Sequence, residues 1–167
     1  MFKIRQVCKK DNINLSNVIR KVLTEIGVPK KGTAYSDPEL DFMFETYNKE
    51  RSIYYVVENN GKICGGAGIA HLNQADYDIC ELQKMYFLPS IRGIGLGSEM
   101  IEKCLDFALY NKFKYCYIET LPYMKAAQKL YLKKGFYYIN GPIGNTGHTS
   151  CNVWLIKKLN ENKWFQL

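Results

Sequence analysis

The sequence predicts a mixed α/β fold, a single domain over residues 1–167 whose central, mostly antiparallel mixed sheet of about seven strands is flanked by about four helices. Three observations carry that expectation. A strand pattern at 79–88 runs through the glycine turn Arg92-Gly-Ile-Gly-Leu-Gly97 into an amphipathic helix and a second strand at 114–120, which requires a right-handed crossover between parallel strands. Asn59-Asn60-Gly61, between two β-patterned runs, marks a tight antiparallel hairpin. A hydrophobic content of 47% in 167 residues suffices for one core, and no repeat, low-complexity tract or interdomain linker interrupts it.

The elements follow in order. Residues 2–7 alternate apolar and charged side chains as a half-buried strand does. Asp11 is the expected N-cap of a helix using Leu15, Val18, Ile19, Val22, Leu23 and Ile26, ended by Gly27 and Pro29. A loop over 30–38 leads, through Ser36 or Asp37 as cap, to a short helix carrying Leu40, Phe42, Met43, Phe44 and Tyr47. Strands at 53–57 and 62–70 form the hairpin. The helix after the glycine turn buries Leu96, Met100, Ile101, Cys104, Leu105, Ala108 and Leu109, and turns Glu99, Glu102, Lys103 and Asp106 to water. A further helix spans about 122–134 and stops at Gly135, and strands near 136–140 and 151–158 flank a loop at 141–150.

Composition narrows the function classes. The N-terminus has no secretion-signal pattern and no apolar run approaches the roughly 20 residues of a membrane span, so the expectation is a cytoplasmic protein without membrane attachment. Six scattered cysteines, with no C-x-x-C pair and only two histidines in the chain, read as reduced core thiols and give no metal site. The net charge of +7 suits acidic ligands or simply a basic surface, but no nucleic-acid-binding signature accompanies it.

The glycine turn is the chemical signal. Backbone freedom at Gly93, Gly95 and Gly97 lets N–H groups face an anion where the helix begins, and the helix dipole favours negative charge there. A Walker-type loop needs Lys-Ser or Lys-Thr after its last glycine, and Gly97-Ser98-Glu99 has neither. A dinucleotide fold would use Glu119 as its ribose acid, yet its third glycine would fall at Ser98 and only one βαβ unit is present.

Arg92-x-x-Gly95-x-Gly97, preceded by Glu81-Leu-Gln-Lys-Met-Tyr-Phe-Leu-Pro89 and followed by Ala127-x-x-Leu-Tyr131-x-x-x-Gly135-Phe136, resembles the acyl-CoA-binding core of the GCN5-related N-acetyltransferases. The resemblance spans nearly the whole chain and implies an acetyl-CoA-dependent N-acetyltransferase acting on a primary amine of a small molecule or a protein or peptide. It places the CoA pyrophosphate on the backbone of Arg92, Gly93, Ile94, Gly95, Leu96, Gly97 and Ser98, and the pantetheine arm along Met85, Tyr86 and Phe87, with Met124 and Ala127 opposite. The family often has Asn where this chain has Met124, which removes one pantetheine contact.

The same resemblance makes Glu81 the candidate base, its alternative being a strand-end carboxylate bonded to a loop, and Tyr131 the candidate acid, its alternative a core tyrosine. An amine of reference pKa about 10.4 is almost wholly protonated at neutral pH, so some group must take a proton. Arg92 either pairs with a phosphate or is a solvated turn residue, and Lys84, Lys133 and Lys134 are long-range attractors or solvated side chains. In the loops expected to face the acceptor, Tyr35, Asp37 and His148 are candidate substrate contacts. Their alternatives are a packed aromatic, a helix cap and a turn histidine. A CoA-binding sensor without turnover is the other reading of the same motifs, and the expected assembly is a monomer or homodimer.

Overall fold

A computed structural model describes residues 1–159, and residues 160–167 of the expected domain lie outside the described residues. Seven strands form one sheet: β1 (Phe2–Gln6), β2 (Ile53–Asn59), β3 (Lys62–His71), β4 (Ile79–Phe87), β5 (Tyr115–Thr120), β6 (Tyr137–Ile139) and β7 (Val153–Lys158), in the spatial order β1-β2-β3-β4-β5-β7-β6. Every neighbouring pair is antiparallel except β4 and β5, the parallel pair that the glycine turn predicted. Among the described residues four α-helices, α1 (Asn12–Glu25), α2 (Met43–Tyr47), α3 (Leu96–Tyr110) and α4 (Lys125–Lys133), cover the sheet.

Alternation along β2 assigns the two faces. Ile53 and Val57 bury against a core built on Met100, Ile101 and Cys104 of α3, while Tyr54 and Val56 bury against Leu15, Ile19 and Leu23 of α1 and Met43 and Tyr47 of α2. The β2–β3 hairpin closes as expected, with Asn60 and Gly61 at φ 48° and 79°, the two left-handed residues a tight turn demands. Cys64, Cys80, Cys104 and Cys116 are free thiols in the interior, and Cys8 and Cys151 are half-buried free thiols. No helix among the described residues is long and apolar enough to cross a membrane.

Two features of β4 position the site. Its pairing with β5 runs only from Ile79 opposite Tyr115 to Glu81 opposite Tyr117, although both strands continue, so the sheet opens a gap beyond Glu81. Its pairing with β3 slips by one residue between Gln83 and Tyr86, a bulge at which Lys84 takes φ 50° and its carbonyl accepts the buried Tyr54 hydroxyl at 2.7 Å.

Local expectations needed three corrections. Asp11 occupies the N-cap position of α1, but its carboxylate accepts from Arg5 (2.6 Å) and the Cys8 N–H (2.8 Å) instead of capping the helix. The helix expected from Ser36 or Asp37 starts only at Met43, because Ala34–Ser36 and Pro38–Phe42 wind as tighter 3-10 turns. α4 begins at Lys125, three residues late. The Gln128 side-chain amide donates to the carbonyls of Leu121 (2.8 Å) and Pro122 (3.2 Å), which holds 121–124 as a turn.

Candidate active site

The glycine turn and the gap between β4 and β5 share one cleft of about 560 Å³. Met85, Tyr86 and Phe87 form one wall, Met124, Ala127, Leu130 and Tyr131 the other, and Arg92, Gly93, Gly95 and Gly97 the end. Gly93 and Gly95 take φ 78° and 92°, and a Cβ on either would meet no protein atom within 4 Å, so this backbone faces open space. The first backbone bond of α3 is Glu99 N–H to the Gly95 carbonyl at 3.1 Å, which leaves the N–H groups of Leu96, Gly97 and Ser98 without intrahelical acceptors. The cleft therefore has an apolar channel and a hydrogen-bonding, electropositive end, the two properties an acyl arm on a pyrophosphate requires.

A small void of about 40 Å³, bounded by Lys84, Met85, Tyr86, Glu119, Thr120, Tyr131 and Cys151 among others, lies in the gap itself. Lys84 also borders a second cavity of about 500 Å³ with a polar lining that includes Glu81, Gln83, Asp37 and His148.

Glu81 is 6% exposed. One carboxylate oxygen accepts the Gln83 side-chain amide at 2.6 Å, and the amide's own oxygen accepts the Tyr47 hydroxyl at 2.6 Å, which fixes the amide with its NH2 toward Glu81. The other oxygen has no hydrogen-bond partner among the described residues. Since no fully buried side-chain oxygen among the described residues lacks one, this oxygen opens on the polar cavity. Burial raises the Glu81 pKa above the usual carboxylate range, and the Gln83 hydrogen bond and the charges of His148 and Lys84 only partly offset this.

Tyr131 is 5% exposed, and its ring packs against Phe136 with centroids 6.1 Å apart. Its hydroxyl has no hydrogen-bond partner among the described residues and faces the cleft; burial pushes its pKa up to about 12, so it is protonated at neutral pH. Tyr131 borders both the cleft and the void in the gap.

On the polar side, Lys84 Nζ pairs with Asp37 at 2.7 Å, and the same carboxylate meets His148 Nε2 at 3.1 Å, across 111 residues of sequence. Asp37 is held below its ordinary pKa: burial works against this, but the His148 hydrogen bond and the Lys84 charge outweigh it. Glu119 accepts the hydroxyls of Tyr117 (2.7 Å) and Thr146 (2.5 Å), tying the 141–150 loop to β5.

Residues 20–136 match the Acetyltransferase (GNAT) family. The chain belongs to that family. GNAT acetyltransferases move an acetyl group from acetyl-CoA to an amine, and this chain is an acetyl-CoA-dependent N-acetyltransferase. It is 41% identical over 157 residues to the uncharacterized N-acetyltransferase YjgM of Escherichia coli K12, covering 93% of this chain and 94% of the relative. A GNAT-family acetyltransferase of Staphylococcus aureus superposes with a TM-score of 0.85 at 19% identity, over 96% of this chain and all of the other. The acetyltransferase yncA of Salmonella typhimurium, solved with acetyl-CoA, superposes with a TM-score of 0.78 at 17% identity, over 96% and 95% of the two chains.

This acetyltransferase distributes its expected site residues unevenly. Met85, Tyr86, Phe87, Arg92, Gly93, Gly95, Gly97, Met124, Ala127 and Tyr131 converge on the cleft. Ile94 projects to solvent and the Leu96 side chain enters the core, so these two offer backbone alone. Arg92 is neither free nor simply solvated: its Nε donates to the Phe87 carbonyl at 2.8 Å and Nη1 pairs with Glu25 at 3.0 Å. Asp37 and His148 meet on the polar side. Tyr35 does not join them; it packs beside the α1 core with Lys30 over its ring and lines neither cavity. Lys84 is no solvated attractor, being 8% exposed at its side chain and paired, and Lys134 pairs with Glu102. Sequence reasoning missed Gln83, Tyr47 and Glu119. Gln83 lay in view, two residues beyond Glu81 and therefore on the same strand face.

Proposed function

We propose that this acetyltransferase joins its two substrates across the gap between β4 and β5, with acetyl-CoA in the apolar cleft, the amine in the polar cavity, Glu81 as general base and Tyr131 as general acid. The observation that carries this reading is the placement of two buried groups with free valences. The unpartnered Glu81 oxygen opens on the polar cavity and the unpartnered Tyr131 hydroxyl on the cleft, and Lys84 borders both that cavity and the void that Tyr131 lines.

The residues divide the chemistry. Glu81, poised above ordinary carboxylate acidity by burial, accepts a proton from the ammonium form of the acceptor, directly or through one water. The freed amine forms the C–N bond at the thioester carbonyl, a backbone N–H of the strand around 85–87 stabilises the oxyanion, and the nitrogen sheds its surplus proton to solvent through the polar cavity before the intermediate collapses. As the C–S bond breaks, the Tyr131 hydroxyl donates to the departing sulfur and later recovers a proton from solvent. A tyrosine near pKa 12 is a weaker acid than a thiol in water, at about 8.5, so the transfer depends on the cleft raising the sulfur's basicity by excluding water. The α3 N-terminus and the turn backbone hold the pyrophosphate, and Arg92 reaches it by sharing or leaving Glu25.

Calorimetric titration with acetyl-CoA and with NADH, in moderate salt, tests the cofactor assignment. Selective acetyl-CoA binding, lost in Gly95→Val, followed by amine-dependent thiol release, supports it. Absence of acetyl-CoA binding, or preference for NADH, overturns it.

A further inference from the structure

We infer that the acceptor is a small hydrophilic amine bearing a second cationic group, and that Glu39 and Glu50 recognise that group. This rests on the proposed transfer across the gap and names the class of molecule that enters the polar cavity.

The cavity differs from the chain around it. On a protein of net charge +7, it is lined by the carboxylates of Asp37, Glu39, Glu50 and Glu81 against the ammonium groups of Lys49 and Lys84. Asp37 and Lys84 neutralise each other at 2.7 Å. Glu39 and Glu50 have no ion-pair partner among the described residues, and Lys49 in the same lining pairs with neither. Glu81, more than nine-tenths buried, keeps an oxygen free toward the cavity. A carboxylate at the reacting end and two unpaired carboxylates elsewhere on the same wall fit a molecule carrying more than one amine.

The rest of the wall is mainly hydroxyl and amide, from Thr46, Ser52, Asn73, Gln83, Asn145 and Thr146, with Tyr47, Ala70 and two imidazoles, His71 and His148, beside them. Such a lining leaves an apolar substituent with few contacts and satisfies a polar one. Its volume of about 500 Å³ lies within the range of small-molecule sites. The loop on this side is tethered to the body of the chain. His148 bonds Asp37 at 3.1 Å, Ser150 N–H donates to the Gly32 carbonyl at 3.0 Å, and Asn145 N–H donates to the Asn73 carbonyl at 2.8 Å.

The test compares putrescine and spermidine with butylamine, which lacks the second charge, and with a lysine-containing peptide. Each is titrated into the CoA-saturated protein and assayed for thiol release with acetyl-CoA. The expected result is that the diamine and triamine bind and react at least about fivefold better than butylamine or the peptide, the scale of one partly exposed charge pair. The Glu39→Gln, Glu50→Gln double variant should raise KM for putrescine toward that of butylamine, with kcat and acetyl-CoA affinity unchanged. Butylamine or the peptide matching the diamine, or a double variant indistinguishable from the parent, overturns the inference while leaving transfer across the gap intact. Acetyl-CoA binding with no amine bound or acetylated overturns both.

Discussion

Tyr131→Phe isolates one oxygen atom. The ring is retained against Phe136, and the hydroxyl removed has no hydrogen-bond partner among the described residues, so unfolding stability should change by no more than about 1 kcal/mol. Acetyl-CoA affinity should also hold, because the ring still lines the cleft. The rate should not. At a pKa of about 12 the hydroxyl is protonated in all but roughly one molecule in 100,000 at pH 7, so essentially every parent molecule carries the acid and no variant molecule does. General acids contribute about 100-fold to 10,000-fold, or about 3–5 kcal/mol of barrier. The assay is thiol release at saturating acetyl-CoA, checked by single-turnover acetylation so that product release does not mask the chemical step, with calorimetry for affinity. A single-turnover rate within about twofold of the parent would refute the general-acid role. A loss of affinity equal to the loss of rate would make Tyr131 a binding residue instead.

Four further outcomes are expected. Gln83→Leu removes a hydrogen bond that favours the ionised form of Glu81, so its pKa rises further and the acid limb of kcat/KM moves to higher pH while the plateau above it is retained; an unmoved limb would disconnect Gln83 from the base. In Gly97→Val the added side chain starts 3.1 Å from Leu130 and 3.4 Å from Met85 and crowds the cleft, so calorimetry should show acetyl-CoA binding weakened at least about tenfold in a protein that still melts cooperatively. Asp37 is held below its unfolded pKa, so its stabilisation is present above that value and lost as pH falls through the folded one. The melting-temperature gap between parent and Asp37→Asn should therefore be wide near about pH 6 and close in acid. Asp11, lowered to about 2 from 3.8 against the pull of burial by its Arg5 and Cys8 hydrogen bonds, should contribute about 2 kcal/mol above pH 4, lost on acidification toward pH 2, as denaturant titrations of Asp11→Asn at several pH values would show.

What the sequence discloses depends on how local the cause is. The β4-turn-α3-β5 crossover and the Asn60-Gly61 hairpin follow from backbone chemistry within a few residues, and both form as expected. The caps show the limit. Asp11 and Asp37 each stand where a capping carboxylate belongs, yet Arg5 recruits one and Lys84 with His148 the other. A partner 111 residues away leaves no trace in local spacing. Tyr35 illustrates the converse, because its exposed-loop context suggested substrate contact while tertiary packing gave it to the α1 core and Lys30. Glu81 and Tyr131 were reachable through family resemblance, but the free oxygen of one and the free hydroxyl of the other depend on where β4 parts from β5. That is a property of register, which strand patterns alone do not fix.

The pH dependence of kcat/KM for the parent and Glu81→Gln, measured by thiol release with one amine acceptor and paired with acetyl-CoA calorimetry, tests the central claim that Glu81 takes the acceptor's proton at the gap. The parent should lose activity through an acid limb lying above the ordinary carboxylate range, and the variant should lose both that limb and at least about 100-fold in rate while binding acetyl-CoA normally. A variant that keeps the limb and the rate would place the base elsewhere and contradict the account.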